Sequence, residues 1–282
     1  MTPTLVRHRP RTASAAESSA EACARARDWA EIQERMLVPL YEAVYERLEV
    51  GAGTRLLGLG CGSGLALVIA ANRGAHVTGF DTDRTRLELA LERMAPEGAA
   101  TAAPQLYDGD LPAPGEPGPG PYNLITAFQP IGCSAGDAEG LKAALAAAVA
   151  HSERGSAVVL TGWGPPERCA ASGVLRVAGR LTERLHSSSR WRPALRDDLE
   201  NVAAGAGLRP DGSGRVACPF GYADLDSAVR GLLSTGLYDE AVQETDREQV
   251  EKEIAEALHP HRRRDGTVWM PNVFRYLIAR TP

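Results

Sequence analysis

Several things are scarce in this 282-residue chain, and each scarcity excludes something. Aromatic residues make up only 5%, so the core must be built from small and aliphatic side chains. The five cysteines (Cys23, Cys61, Cys133, Cys169, Cys218) are odd in number and far apart. No two form a C-x-x-C pair, which speaks against a disulfide framework or a structural zinc site and for a reducing compartment. Basic excess is missing too. The formal net charge is −5, and without a basic stripe the chain is a poor match for the phosphate backbone of nucleic acids. The one dense cationic run, Arg262-Arg263-Arg264, reads as a solvated turn, with an anion or substrate contact as the alternative. No apolar run approaches the roughly 18 residues of a membrane span. The basic N-terminus (Arg7, Arg9, Arg11) is not followed by the apolar stretch of a secretory signal. A cytoplasmic location is the expectation.

What is present has the composition of a globular protein, 44% hydrophobic and 24% charged. Residues 1–27 carry few large apolar side chains and are expected to be a disordered tail. From 28 to 282 the pattern reads as one domain. Trp29, Ile32, Met36, Leu40, Val44 and Leu48 recur at helical spacing. The apolar strand Arg55–Leu59 then runs into Gly60-Cys61-Gly62-Ser63-Gly64, a helix through Ala71, and the strand His76–Phe80 closing on Asp81. Asp83 is placed to cap the next helix. This β-α-β-α order is that of an α/β, Rossmann-like doubly wound parallel sheet. Further strands are expected near 105–107, 123–128 and 157–161, and a helix near 194–205. A strand near 213–218, helical sequence over 224–259 and a strand at 272–279 suggest an antiparallel pair at the sheet edge. Two stretches, about 163–193 and 219–271, read as insertions beyond the sheet.

Glycines at 60, 62 and 64 allow a tight turn and close approach of a ligand to the backbone. Asp81, ending the second strand, can accept hydrogen bonds from ribose hydroxyls. Together they point to an adenosine-containing cofactor; a purely structural turn and a simple helix cap are the bland alternatives. One register, Gly58-x-Gly60-x-x-Ser63, imitates the nicotinamide dinucleotide turn. The other, G-x-G-x-G, suits a cofactor without pyrophosphate.

Leu56–Gly64, Val77–Asp81, Gly109-Asp110-Leu111-Pro112 and Tyr122–Phe128 resemble successive motifs of the class I S-adenosylmethionine (SAM)-dependent methyltransferases, over about residues 28–162. Asn272–Ala279 resembles the final strand of bacterial small-molecule members. The resemblance implies a seven-stranded sheet ordered 3-2-1-4-5-7-6, strand 7 antiparallel, with SAM as cofactor and S-adenosylhomocysteine as product. It implies that Gly60, Cys61, Gly62 and Gly64 wrap the methionine part, and that Asp81 holds the ribose with Thr82 beside it. Asp110 and Leu111 would read the adenine, and Phe128 would sit near the methyl path. Gly58 stands where the family usually has Asp or Glu, so the usual anchor for the methionine ammonium is missing.

The implied acceptor is a small molecule of a bacterial, secondary-metabolite type of pathway, with oxygen or nitrogen preferred over carbon. Phe128-Gln129-Pro130-Ile131 departs from the Asn/Asp-Pro-Pro-aromatic run of enzymes methylating amide or exocyclic nitrogen. No cluster has metal-ligand spacing. Methyl transfer from a sulfonium depends chiefly on alignment and water exclusion, and a base is needed only for a nucleophile that holds its proton tightly. His186, His151 and Tyr222 are candidate bases, although such residues are more often surface or packing groups. Trp29, Gln129 and Trp163 are candidate substrate contacts. The rival functions are a cyclase or other non-methylating SAM-binding protein on the same fold, a nicotinamide oxidoreductase, and a non-catalytic partner subunit.

Overall fold

The computed structural model of the protein describes residues 15–95, 104–112, 120–183 and 191–282. Helix α1 (Ala15–Asp28) leads into a π-helical turn at Trp29–Gln33, a 3-10 turn at Glu34–Leu37 and helix α2 (Val38–Arg47). Then come β1 (Arg55–Leu59), α3 (Leu65–Asn72), β2 (His76–Asp81), α4 (Arg84–Arg93) and β3 (Gln105–Asp108). β4 (Tyr122–Ile131), α5 (Glu139–Ala150) and β5 (Ser152–Trp163) continue the alternation. Next are α6 (Ser172–Glu183), α7 (Asp198–Gly205), β6 (Arg209–Ala217), β7 (Phe220–Tyr222), α8 (Leu225–Leu233), α9 (Asp239–Glu244) and α10 (Arg247–Leu258). β8 (Val268–Met270) and β9 (Val273–Arg280) end the chain.

Seven strands form one sheet in the order β3-β2-β1-β4-β5-β9-β6. β1 pairs in parallel with β2 and β4, whereas β9 runs antiparallel between β5 and β6. This is the expected sheet, with β9 as the antiparallel strand. Alternation along β1 explains its position at the centre: Leu56 packs into the apolar layer of α2 and α3, and Leu57 and Leu59 into that of α5 and α7. Both faces of a parallel sheet are covered in this way, which is why its strands read as unbroken apolar runs. Asp83 caps α4 by accepting from the Thr85 and Arg86 amides, and Asp224 and Asp246 cap α8 and α10.

The structure corrects the expected N-terminal tail and adds detail to the two insertions. The N-terminal segment is helical from Ala15, and α1 packs on α4 and α8. Ala26 is buried there, and Arg25 meets Asp239 at 2.7 Å. Residues 1–14 of the expected tail lie outside the described residues. The segment 163–193 contains the amphipathic helix α6, which packs on α9 and α10 of the later insertion. Within 219–271, β7 and β8 pair as a separate antiparallel ladder under the helices. Among the described residues no helix is long and apolar enough to cross a membrane.

Candidate functional site

At the carboxyl end of β1 the backbone turns through Gly60 (φ 61°), Gly62 (φ 57°) and Gly64 (φ 79°). A side chain at Gly62 would be strained by this conformation. Its Cβ would also lie 3.2 Å from Glu34 Oε1 and 3.3 Å from Trp29 Nε1. The turn is held by its neighbour strand: Cys61 N–H donates to the Phe80 carbonyl at 3.0 Å, and Gly62 N–H to Asp81 Oδ2 at 2.6 Å. Asp81 Oδ1 accepts the Asp83 amide at 2.8 Å. Each carboxylate oxygen thus carries one backbone amide and keeps a lone pair for a further donor. The Asp81 carbonyl accepts from Gly109 at 2.9 Å and brings the segment after β3 alongside.

These groups line a cavity of about 470 Å³ at the carboxyl ends of β1, β2 and β4, within the range usual for small-molecule sites. Gly60, Cys61, Gly62, Asp81, Thr82, Asp110, Leu111, Phe128, Gln129 and Trp29 all border it. Gly64 does not; its Cβ would fall 2.9 Å from that of Ala90, so this glycine serves the packing of α3 on α4. Phe128 forms part of the wall and packs against Tyr41, which also borders the cavity (ring centres 4.7 Å apart), and Tyr45 (5.6 Å). Burial and the Asp81 charge push the Cys61 thiol up to about 12, so it is a neutral packing group.

The remaining candidates lie elsewhere. His151 ends α5, 3.3 Å from the Pro112 carbonyl, and does not border the cavity. Tyr222 is buried and donates to Gln33 Oε1 at 3.0 Å; burial raises its hydroxyl pKa above the ordinary value. Neither is placed to act as a base. Trp163 packs with Phe220 and Phe274, away from the cavity wall. His186 lies outside the described residues. Arg262–Arg264 are exposed, with Arg263 over the Trp269 ring at 4.6 Å.

Among the lining residues that were not anticipated are Glu34, Tyr41, Arg86 and Asp137. Glu34 is buried, bonded to Ser63 Oγ, and accepts from Arg93 Nη1 at 2.9 Å. Burial raises its carboxyl pKa, while Ser63, Arg93 and the Leu65 amide pull it back down. Arg86 stacks on the Trp29 ring at 4.3 Å and donates to the Ser234 carbonyl at 2.8 Å. Its Nε lies 3.2 Å from Asp83 Oδ2, close enough for an ion pair but without hydrogen-bond alignment. Asp137 Oδ2 accepts from the amides of Gly132, Cys133 and Ser134 at 2.7–3.0 Å. Glu34 had a detectable signal: it falls three residues before Leu37 and seven before Tyr41, on a buried helical stripe.

The lining charges are lopsided. Glu34, Asp81, Asp83, Asp110 and Asp137 face a single cationic side chain, Arg86. Such a wall favours a cationic ligand over an anionic one. A second, smaller cavity of about 210 Å³ lies between Cys133–Ser134, α6 and the turn before α9. Among the described residues no cluster of His, Cys, Asp or Glu could hold a metal ion.

No protein-family model matches the chain. The methyltransferase GfsG of Streptomyces halstedii is 44% identical over 70 residues. That match spans 24% of this chain and 24% of GfsG, about a quarter of the length of each. Among solved structures, YjhP from E. coli superposes with a TM-score of 0.55 at 19% identity, covering 92% of this chain and 100% of that one. A SAM-dependent methyltransferase from Thiobacillus denitrificans, in complex with S-adenosyl-L-homocysteine, gives 0.50 at 19% identity and covers 85% and 90%. The [4+2]-cyclase SpnF gives 0.50 at 17% identity, covering 86% and 80%. At these identities the likeness is one of fold: the chain has the class I methyltransferase fold.

Proposed function

We propose that this chain is a SAM-dependent methyltransferase acting on a small-molecule acceptor. The observation that carries this is the glycine turn with Asp81 fixed beside it, opening on a wall of carboxylates. SAM is an adenosine derivative whose reactive centre is a sulfonium cation; when bound, it supplies an electrophilic methyl group. The residues present fit it. Asp81 offers both oxygens to ribose hydroxyls, Asp110 and Leu111 border the space for the base, and Gly60–Gly62 leave room along the backbone for the amino-acid tail. A dinucleotide would bring an anionic pyrophosphate against the same acidic wall, which disfavours the nicotinamide alternative.

The chain's own contribution to the reaction is alignment and exclusion of water. Phe128 and Tyr41 present apolar surface at the end of β4, and Gln129 follows at the rim. The smaller cavity, bordered by both insertions, is the proposed acceptor side. The proposed acceptor atom is oxygen or nitrogen, and the net charge of −5 disfavours nucleic acid. The partial match to GfsG agrees in kind, since that protein is a methyltransferase.

Incubation with methyl-labelled SAM and small-molecule extracts of bacterial cells tests this. Label appearing in an extracted product, with stoichiometric S-adenosylhomocysteine, is the expected result. Saturable SAM binding with product formed but no S-adenosylhomocysteine would mean that the cofactor is used without methyl transfer.

A further inference from the structure

The carboxylate missing at Gly58 has a counterpart on another element. In an α-helix, residues five apart lie about 140° apart around the axis, so Trp29 and Glu34 would face different ways. Here the turn Trp29–Gln33 is π-helical, and the Glu34 amide donates to the Trp29 carbonyl itself. That wider turn brings residues five apart towards one face. Both side chains consequently converge on Gly62, with Glu34 Oε1 3.2 Å and Trp29 Nε1 3.3 Å from the position a Cβ would take there.

The two groups are complementary in polarity. Trp29 Nε1 is buried and has no hydrogen-bond partner. An indole nitrogen can only donate, so it requires an acceptor, and leaving it without one is costly. Glu34 is an acceptor held in place by Ser63 and Arg93, with its Oε1 turned towards the glycine turn. Arg86, stacked on the indole at 4.3 Å, fixes the plane of the ring. A donor and an anionic acceptor, close together and bordering one cavity, suit a ligand that carries a cationic and an anionic group on the same carbon.

We infer, on the footing of the cofactor assignment above, that Trp29 and Glu34 form a clamp for the α-amino-acid end of the ligand. Glu34 accepts from the ammonium, and Trp29 Nε1 donates to the carboxylate. The clamp replaces the strand-end acid that Gly58 lacks, and it makes the N-terminal helix part of the binding site rather than a cover over it.

S-adenosylhomocysteine and 5′-methylthioadenosine separate this from a structural role, because they share the thioadenosyl part and only the first has the amino acid. Calorimetric titration of Glu34→Gln and Trp29→Phe should each show S-adenosylhomocysteine bound about tenfold more weakly or worse. Affinity for 5′-methylthioadenosine should stay within about twofold of the wild type. If Glu34→Gln fails to fold, as judged by circular dichroism, Trp29→Phe carries the test, since it keeps most of the ring. Equal weakening of both ligands, or no weakening of either, overturns the clamp. A wild-type protein that binds neither ligand would overturn the cofactor assignment itself, and the clamp with it.

Discussion

The Leu67 side chain occupies the space a side chain on Gly58 would need: its Cδ2 lies 2.9 Å from the position of a Cβ there. Leu67 also presses on Gly79 of β2, where its Cδ1 would be 2.6 Å from a Cβ. The two mid-strand glycines therefore let α3 sit close to the sheet. Their neighbour is a fully buried leucine in the principal core.

Gly58→Asp is accordingly expected to be destabilising. Forcing a side chain into a packed core costs about 1–3 kcal/mol, and a carboxylate facing Leu67 adds desolvation to that. Restoring the family's usual acid should not tighten ligand binding, because Glu34 already places a carboxylate on the cavity. Urea unfolding together with titration of S-adenosylhomocysteine checks both parts. A stable variant with higher affinity would show that the site was short of negative charge.

A pH dependence follows from Glu34. Burial is the largest influence and raises its pKa above the ordinary 4.5. The folded protein therefore holds this proton at pH values where the unfolded chain has released it. The associated stability is fully present below the unfolded value and is lost as pH rises through the folded one. Glu34→Gln has no such charge to bury. The stability of the wild type relative to Glu34→Gln should fall as pH is raised from about 4 towards neutrality, measured by denaturant unfolding at a series of pH values. A difference that stays flat or grows with pH would mean that Ser63 and Arg93 outweigh burial.

The cysteines give a third expectation. Burial pushes the thiols of Cys61, Cys133 and Cys218 up to about 12, whereas Cys23 is only half-buried. Since the thiolate is the reactive form, brief alkylation of the native protein at about pH 8 should leave those three unmodified in a peptide map. Rapid labelling of Cys61 would mean that the glycine turn opens readily.

How far the sequence reveals this architecture depends on the range of the forces involved. The β1-turn-α3-β2 unit and Asp81 are legible because apolar runs, glycines and a strand-end acid are local signals. The order of the sheet followed from a resemblance carried by the same segments. α1 escaped because it packs on α4 and α8, which are distant in the chain, and composition alone does not display such contacts. β7 and β8 are three residues each and exist only as partners across the helical insertion. Trp29 was legible as apolar, but its convergence with Glu34 was not, since a regular helical period misplaces residues joined by a π turn. His151 and Tyr222 illustrate the opposite failure: residue type suggested chemistry, and hydrogen bonds to Pro112 and Gln33 assign them to the scaffold.

The central claim is that the cavity beside Gly60–Gly62 holds an adenosyl cofactor through Asp81. Calorimetric titration of wild type and Asp81→Ala with S-adenosylhomocysteine tests it most directly. The wild type should bind saturably, and the variant should lose about 2–4 kcal/mol, the scale of two charge-assisted hydrogen bonds. Part of any change in folding stability will come from the Gly62 and Asp83 amides that Asp81 also accepts, so the variant must be shown to be folded by circular dichroism. No heat of binding with the wild type, or equal affinity in a folded Asp81→Ala protein, would contradict the account.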